Sequence, residues 1–365
     1  MNILFLTTHL NAGGITSYLF TLAGGLVHRG HRVHVISGGG DRHDDFRSAG
    51  AQVTALKIRT KSELDPRIYC ALKPMECYIA QYGIDCIHSQ TRITQVMGTL
   101  LKKRTGCPHI STCHGFFKRR LSRRLFPCWG EKVIAISSAV KRHLMDDFGV
   151  TPDKIILIES GVDLNDFAPV SQVTRIQQRK KYGLVDEPVI GMIARLSEVK
   201  GQDILIRSMP QVMTRVPRAK LLLVGEGKTQ ETLRGMVKRM NLTGHVRFIP
   251  LVNKTMEMLQ LCDIFVMPSR QEGLGLSIME AQAFGLPVVA SRVGGIPSLI
   301  EHGQTGLLVE PENPRALADA IIELCNNPQR SRDIGTAARQ FIQKHHSANR
   351  MVDETEALYR SVMDS

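Results

Sequence analysis

No two of the eight cysteines stand at CxxC or another zinc-like spacing. They read as reduced, mostly buried thiols of a cytosolic protein, and structural zinc is not expected. Charge is missing at the start of the chain, where residues 2–28 hold no Lys, Arg, Asp or Glu. That gap does not make a membrane span. His9, Asn11, Gly13, Gly14, Thr16 and Ser17 interrupt it, and its apolar run at 3–6 is far short of the ~20 residues required. No basic stretch precedes it, which argues against a signal peptide. The dinucleotide fingerprint GxGxxG is absent too. Gly13-Gly14-Ile15-Thr16 has no third glycine in place, so a nicotinamide site is disfavoured. Tandem repeats and low-complexity segments are lacking. Acidic residues are outnumbered, 34 Asp and Glu against 47 Lys and Arg, for a formal net charge of +13. The excess favours acidic partners such as nucleic acid, anionic lipid or a phosphorylated substrate, and says nothing about fold.

What is present is an alternation. Short apolar or β-branched runs at 3–6, 33–37, 85–88, 108–112, 132–136 and 155–159 read as strands, with helices at 16–27, 92–104 and 139–148. A polar stretch at 163–187 reads as a linker with a first short helix. The alternation then restarts, with strands at 189–193, 220–224, 246–249, 264–267 and 288–290 and helices at 202–212, 229–240, 254–261 and 277–284. After Pro314 the pattern is helical to the end. Strands alternating with helices imply parallel βαβ units, and 365 residues exceed what a single core usually supports. The expected fold is α/β: two Rossmann-like, doubly wound domains, 1–165 and 166–345, facing a cleft, with a helix at 346–365 packing back on the first. Ligands of such sheets bind at the carboxyl ends of strands.

Residues 269–291 hold the most informative segment. A strand leads through Pro268-Ser269-Arg270-Gln271 into Glu272-Gly273-Leu274-Gly275-Leu276-Ser277-Ile278-Met279-Glu280. The glycines turn the chain into a helix whose first N–H groups are unsatisfied and carry the positive dipole end, a ready phosphate site. A carboxylate at Glu280 can accept two hydrogen bonds from a vicinal diol such as a ribose. Glu272, on the turn, sits nearer the reacting group. Taken alone, a helix start with acidic residues placed by dipole preference reads equally well.

The wider context favours the ligand reading. Glu272 and Glu280 have seven residues between them and lead into Ala281-Gln282-Ala283-Phe284-Gly285-Leu286-Pro287. This run closely resembles the EX7E signature of retaining GT-B glycosyltransferases, glycosyltransferase family 4. Gly294-Gly295-Ile296-Pro297 and Gly303-Gln304-Thr305-Gly306 resemble its next two loops. Gly191-Met192-Ile193-Ala194-Arg195-Leu196 through Lys200-Gly201 resembles its diphosphate-clamping Arg and Lys. Two cations there would stabilise the charge of a departing diphosphate. Gly225-Glu226-Gly227 reads equally as a turn or a ligand contact. The resemblance covers nearly the whole chain and is strongest over 189–310. It implies donor binding by Gly13, Gly14, Arg195, Lys200, Gly273, Leu274, Gly275, Leu276, Ser277 and Glu280. It implies His114, Glu272, Arg195 and Lys200 as the catalytic set.

In the first half, Gly13-Gly14 follows a strand and opens a helix, and the resemblance has this loop facing the donor. Family members commonly carry an acidic residue just after the pair; Ile15-Thr16 stands there instead. His114 follows the strand at 108–112, and its family counterpart contacts the transferred sugar. His9 and His88 also end strands, and Ser137 reads as a helix cap. The run Lys118, Arg119, Arg120, Arg123 and Arg124 lies among Phe116, Phe117, Leu121, Leu125, Phe126 and Trp129. Residues 1–170 carry 22 Lys and Arg against 14 Asp and Glu, so the excess leans to this half. Basic groups among apolar ones suit an anionic membrane or a phosphorylated acceptor; a solvated helix face has the same composition.

The resemblance therefore implies a retaining, metal-independent glycosyltransferase without cofactor. A nucleotide sugar is its donor, UDP-sugar by preference, with GDP and ADP open. Its acceptor is a glycan or glycolipid, as in lipopolysaccharide or other cell-surface polysaccharide assembly. Its expected place is cytoplasmic, peripheral at the inner face of the membrane, with no nucleic acid as partner. The rivals are a GT-B epimerase, a transferase for a soluble acceptor, and a non-enzymatic basic nucleic-acid-binding module.

Overall fold

The computed structural model describes residues 1–60, 62–252 and 254–364. The chain forms two compact units, Met1–Gly161 with the C-terminal segment from Ala348, and Val162–Ser347. The first unit runs β1 (Asn2–Thr7), α1 (Gly14–His28), β2 (Arg32–Ser37), α2 (His43–Ser48), β3 (Gln52–Ala55), α3 (Pro66–Cys70), α4 (Leu72–Tyr82), β4 (Cys86–Ser89), α5 (Arg92–Thr105), β5 (His109–Cys113), α6 (Leu121–Leu125), β6 (Lys132–Ala135), α7 (Ser138–Phe148) and β7 (Ile155–Leu157). Its seven strands lie parallel in the order β3-β2-β1-β4-β5-β6-β7. The chain winds outward from β1 in one direction and from β4 in the other, so the switch point lies between them.

The second unit runs α8 (Gln172–Lys181), β8 (Val189–Ile193), α9 (Gln202–Arg215), β9 (Lys220–Val224), α10 (Gln230–Arg239), β10 (Val246–Ile249), α11 (Met256–Leu259), β11 (Ile264–Met267), α12 (Leu276–Phe284), β12 (Val288–Ser291), β13 (Leu307–Val309), α13 (Pro314–Asn326) and α14 (Pro328–His345). The six strands are parallel in the order β10-β9-β8-β11-β12-β13, with the switch point between β8 and β11. Every residue of β8 and β11 is buried. Parallel sheets are covered on both faces, which is why these strands read as unbroken apolar runs.

The last helix, α15 (Ala348–Met363), belongs to the first unit. Its Met351, Val352, Leu358, Tyr359 and Val362 share one core with Phe5, Leu19, Leu22 and Leu26. Gly25 makes room for it: a Cβ there would meet Val352 Cγ2 at 2.5 Å. Arg29 closes the edge through Asp353 at 2.7 Å and Glu356 at 3.2 Å.

Six elements escape the sequence reading, namely α2, β3, α3, α4, α6 and β13. The strand β3 is a sheet edge whose four residues are half-buried or exposed, so it carries no apolar run. The strand β13 is three residues long and edges the other sheet.

Candidate active site

In the second unit the residues singled out above gather on the two loops that flank the switch point, after β8 and after β11. The first loop carries Arg195 and Lys200. Arg195 is exposed and makes no ion pair with any described residue. Its backbone is pinned on both sides: the Ala194 N–H donates to the Val224 carbonyl at 3.0 Å and the Leu196 N–H to the Glu226 carbonyl at 2.9 Å. The glycines of Gly225-Glu226-Gly227 are required by this crossing, because a Cβ would stand 2.2 Å from the Ala194 oxygen or 2.0 Å from that of Leu196. The turn thus holds Arg195 in place. It also lines a cavity of about 280 Å³ at the ends of β9 and β10, with Gln230, Arg234 and Phe248.

Lys200 ends a 3-10 turn, Glu198–Lys200. Gly201 follows with φ +73°, and a Cβ there would meet the Pro268 oxygen at 2.0 Å. That close approach brings the two loops together, and Lys200 Nζ donates to Glu272 Oε2 at 2.5 Å. The two side chains are 22% and 12% exposed. Ser269 Oγ adds a longer contact to the same carboxylate oxygen, 3.4 Å.

Arg270, to which the sequence reading gave no role, braces this junction. Its N–H donates to the Val199 carbonyl at 2.8 Å and its guanidinium to the Glu198 carbonyl at 2.6 Å. It is bidentate with Asp203 at 2.7 and 2.8 Å, and it reaches Glu312. Burial alone would raise the Asp203 pKa; the bonds to Arg270 outweigh it and hold the carboxyl below its usual range. An arginine three residues past a strand's carboxyl end was the available signal. From the other side, the Gly295 N–H donates to the Glu272 carbonyl at 3.0 Å, and a Cβ on Gly295 would meet the Gly273 oxygen at 2.3 Å.

Helix α12 begins at Gly275, φ +115°, with no side-chain cap and no acidic residue in its first turn. Its first N–H groups stay available to an anion. Gly273 and Leu274 are buried before it, and Leu276 and Ser277 are half-buried at its start. Residues 278–284 are all buried, including Glu280. A helix enclosed all round is rigid, and the Gln282 amide ties it to the Leu299 carbonyl at 2.9 Å.

In the first unit, Gly13 and Gly14 open α1 with no side-chain cap, and a Cβ on either would meet nothing. The backbone there stays approachable. His114 follows β5, half-buried, with Nε2 2.8 Å from Gln90 Oε1 and its ring edge-on to Tyr18 at 4.8 Å. His88 is structural: it is fully buried between the Tyr359 hydroxyl and Thr112 Oγ1, 2.7 Å from each. His9 Nδ1 accepts from the Asn11 N–H at 3.3 Å. Ser137 caps α7 through the Val140 N–H at 3.2 Å.

One residue of the basic segment is corrected. Arg123 does not face a membrane or an acceptor; it is 7% exposed, stacked on Phe117 at 4.0 Å with Trp129 and Phe148 beyond. The reason is the pitch of α6, which turns Arg123 inward while Leu121, Leu125 and Phe126 point out. Burial pushes its pKa down to about 10, with Arg92 adding to the shift. Lys118, Arg119, Arg120 and Arg124 are exposed, Arg119 as the partner of Asp147. Leu121, Leu125 and Phe126 stand among them at 71%, 64% and 67% exposure.

Two doubly wound parallel sheets, one with a Glu-x7-Glu turn and helix at its switch point, define the GT-B class of glycosyltransferase. The profile described as "Glycosyl transferases group 1" matches residues 174–341, and that described as "Glycosyltransferase Family 4" matches residues 12–166. A GDP-mannose-dependent alpha-(1-6)-phosphatidylinositol monomannoside mannosyltransferase of Mycolicibacterium smegmatis is 30% identical over 350 residues, 90% of each chain. Among solved structures, Anabaena HepE in complex with UDP-glucose superposes with a TM-score of 0.88 at 24% identity, over 99% of this chain and 100% of that one. A glycosyltransferase of Rickettsia africae gives 0.87 at 22% identity, over 100% and 99%. The chain belongs to glycosyltransferase family 4 and is a glycosyltransferase of GT-B fold.

Proposed function

We propose that the protein transfers a sugar from a nucleotide-sugar donor to a membrane-associated glycan or glycolipid, with retention of configuration and without a metal. One observation carries the reading. An unpaired Arg195, Lys200 beside Glu272, and the uncapped start of α12 leading to Glu280 converge on one switch point. Cations and helix N–H groups take the diphosphate, and Glu280 takes the ribose diol. The cavity after β9 and β10 takes the base. The acceptor hydroxyl attacks the anomeric carbon on the face from which the diphosphate departs. The bond from that carbon to the phosphate oxygen breaks, and the acceptor's proton passes to the leaving phosphate. Glu272 holds sugar hydroxyls, His114 is a sugar contact on the strength of the family resemblance, and no side chain serves as nucleophile.

Family habit favours a UDP-sugar. The relative's name supports GDP-mannose as a second reading and a phosphorylated lipid as acceptor. The apolar and basic side chains on and around α6 support docking at the anionic inner face of the cytoplasmic membrane. Among the described residues no helix is long and apolar enough to cross a membrane. The test is a thermal-shift panel of UDP-, GDP- and ADP-sugars, followed by NMR of the product anomer formed with the best donor. Glu280→Ala is expected to weaken nucleotide binding by roughly tenfold or more with the fold intact, the worth of hydrogen bonds to a charged group. Unchanged affinity would remove the ribose assignment.

A further inference from the structure

His114 is held by more than its loop. Gln90 follows β4, the strand beside β5, and its N–H donates to the Leu6 carbonyl at 2.9 Å. Its side chain is 2% exposed and turns its amide oxygen to His114 Nε2 at 2.8 Å. With the amide turned this way its oxygen accepts and Nε2 carries the proton, while the Gln90 amide nitrogen is enclosed without a hydrogen-bond partner among the described residues. The Tyr18 ring, edge-on at 77°, fixes the imidazole plane. The Tyr18 hydroxyl meets Thr112 Oγ1 at 3.5 Å, which His88 and then Tyr359 hold in turn. Nδ1 has no hydrogen-bond partner among the described residues, and it is not among the fully enclosed polar atoms.

We propose that Gln90 is a positioning residue that locks His114 in the Nε2–H tautomer, presenting Nδ1 as a pure acceptor to a hydroxyl of the transferred sugar. The inference rests on the reading of His114 as a sugar contact. The ring's surroundings keep it neutral. Burial holds its pKa down to about 3 and pushes the facing Tyr18 and the neighbouring Cys113 up to about 12. His88 behind it is held neutral by burial as well. No charged group from α1, β4 or β5 in this set competes for its proton. Toward the sugar His114 then accepts a hydrogen bond and donates none, so the sugar needs a true O–H at that place. A fluorine there cannot donate, and the donor analogue loses its selectivity advantage.

Two measurements test this. In protein labelled with nitrogen-15 histidine, the signal lost in His114→Gln is expected to show a protonated Nε2 and a bare Nδ1 at pH 7. Gln90→Glu puts a carboxylate on Nε2–H and raises the imidazole pKa. Nδ1 then gains a proton as pH falls, so the variant's kcat/KM should drop on the order of tenfold between pH 8 and pH 5.5, the worth of one lost acceptor. Wild type should show no such step. A bare Nε2 in the wild-type spectrum overturns the proposal. So does a Gln90→Glu pH profile that follows wild type while the nitrogen signals show a raised pKa. His114→Gln with unchanged kcat/KM would instead sink the sugar contact, even with the tautomer as described.

Discussion

Replacing Glu272 by Gln should make the protein bind a nucleoside diphosphate more tightly while transferring sugar more slowly. Lys200 is committed to Glu272 at 2.5 Å. At an effective dielectric of about 20, two unit charges at that distance attract by ~7 kcal/mol. Desolvation and partial exposure, 22% and 12%, reduce the net worth of such a pair to ~1–2 kcal/mol. A diphosphate arriving at Arg195 and α12 must draw Lys200 from that partner. Glu272→Gln removes the competition, so Kd for UDP or GDP should fall by roughly 5- to 30-fold. Lost sugar contacts should lower kcat by about 100-fold. Isothermal titration at low salt, with the nucleotide alone, measures the first effect. The double substitution with Lys200→Met locates its cause. If the gain acts through Lys200 it vanishes in that background; if it is simple relief of charge repulsion it persists. An affinity for nucleoside diphosphate that stays equal or weakens in Glu272→Gln refutes the reasoning.

Neutralising Lys118, Arg120 and Arg124 together should weaken binding to anionic vesicles by about 100-fold, at ~1 kcal/mol for each basic group; Arg123→Met, inside its aromatic cage, should leave flotation with vesicles unchanged. Acid should destabilise the first unit between pH 6.5 and 5. His88 and His109 are fully buried with pKa values depressed by burial, that of His109 to about 3, so the folded unit stays neutral while the unfolded chain takes up protons. Their contribution is complete above pH 6.5 and falls with pH by ~1.4 kcal/mol per unit for each histidine. The single Trp, Trp129, is buried in this unit and reports the urea midpoint by fluorescence. A midpoint that does not move over that range contradicts the reading, and His109→Gln should flatten the slope.

Four strands of the second unit, 189–193, 220–224, 246–249 and 264–267, were legible to the residue, and the central ones are written as apolar runs because a parallel strand is covered on both faces. Between β2 and β4 that signal fails. The edge strand β3 needs no apolar run, and α2 spans His43–Ser48 with only Phe46 buried. The basic run failed in a different way. Composition showed five cations among apolar residues but not which side of a short helix each would take. Arg123 satisfies three rings at once, and an aromatic cage assembled from Phe117, Trp129 and Phe148 has no signature in local sequence.

The candidate site divides along the same line. Residues on one continuous turn and helix, Glu272 through Glu280, could be grouped from spacing alone. The partners that hold them could not. Lys200 meets Glu272 because Gly201 tolerates the Pro268 carbonyl and because Arg270 clamps Glu198, Val199 and Asp203 to its own turn. Gln90 reaches His114 only because β4 and β5 are neighbours in the sheet. Each of these couplings joins segments far apart in the chain, and each controls geometry rather than contributing a recognisable motif. The residues proposed to touch a donor are therefore readable from the sequence, while the residues that hold them in place become visible only once the strands are placed side by side. Arg270 shows why this matters for the chemistry. Its bidentate hold on Asp203 ties the loop of Lys200 to the turn of Glu272, whose side chains stand 2.5 Å apart. Under the proposed function, that tie couples the carboxylate assigned to the sugar with the cation assigned to the leaving group.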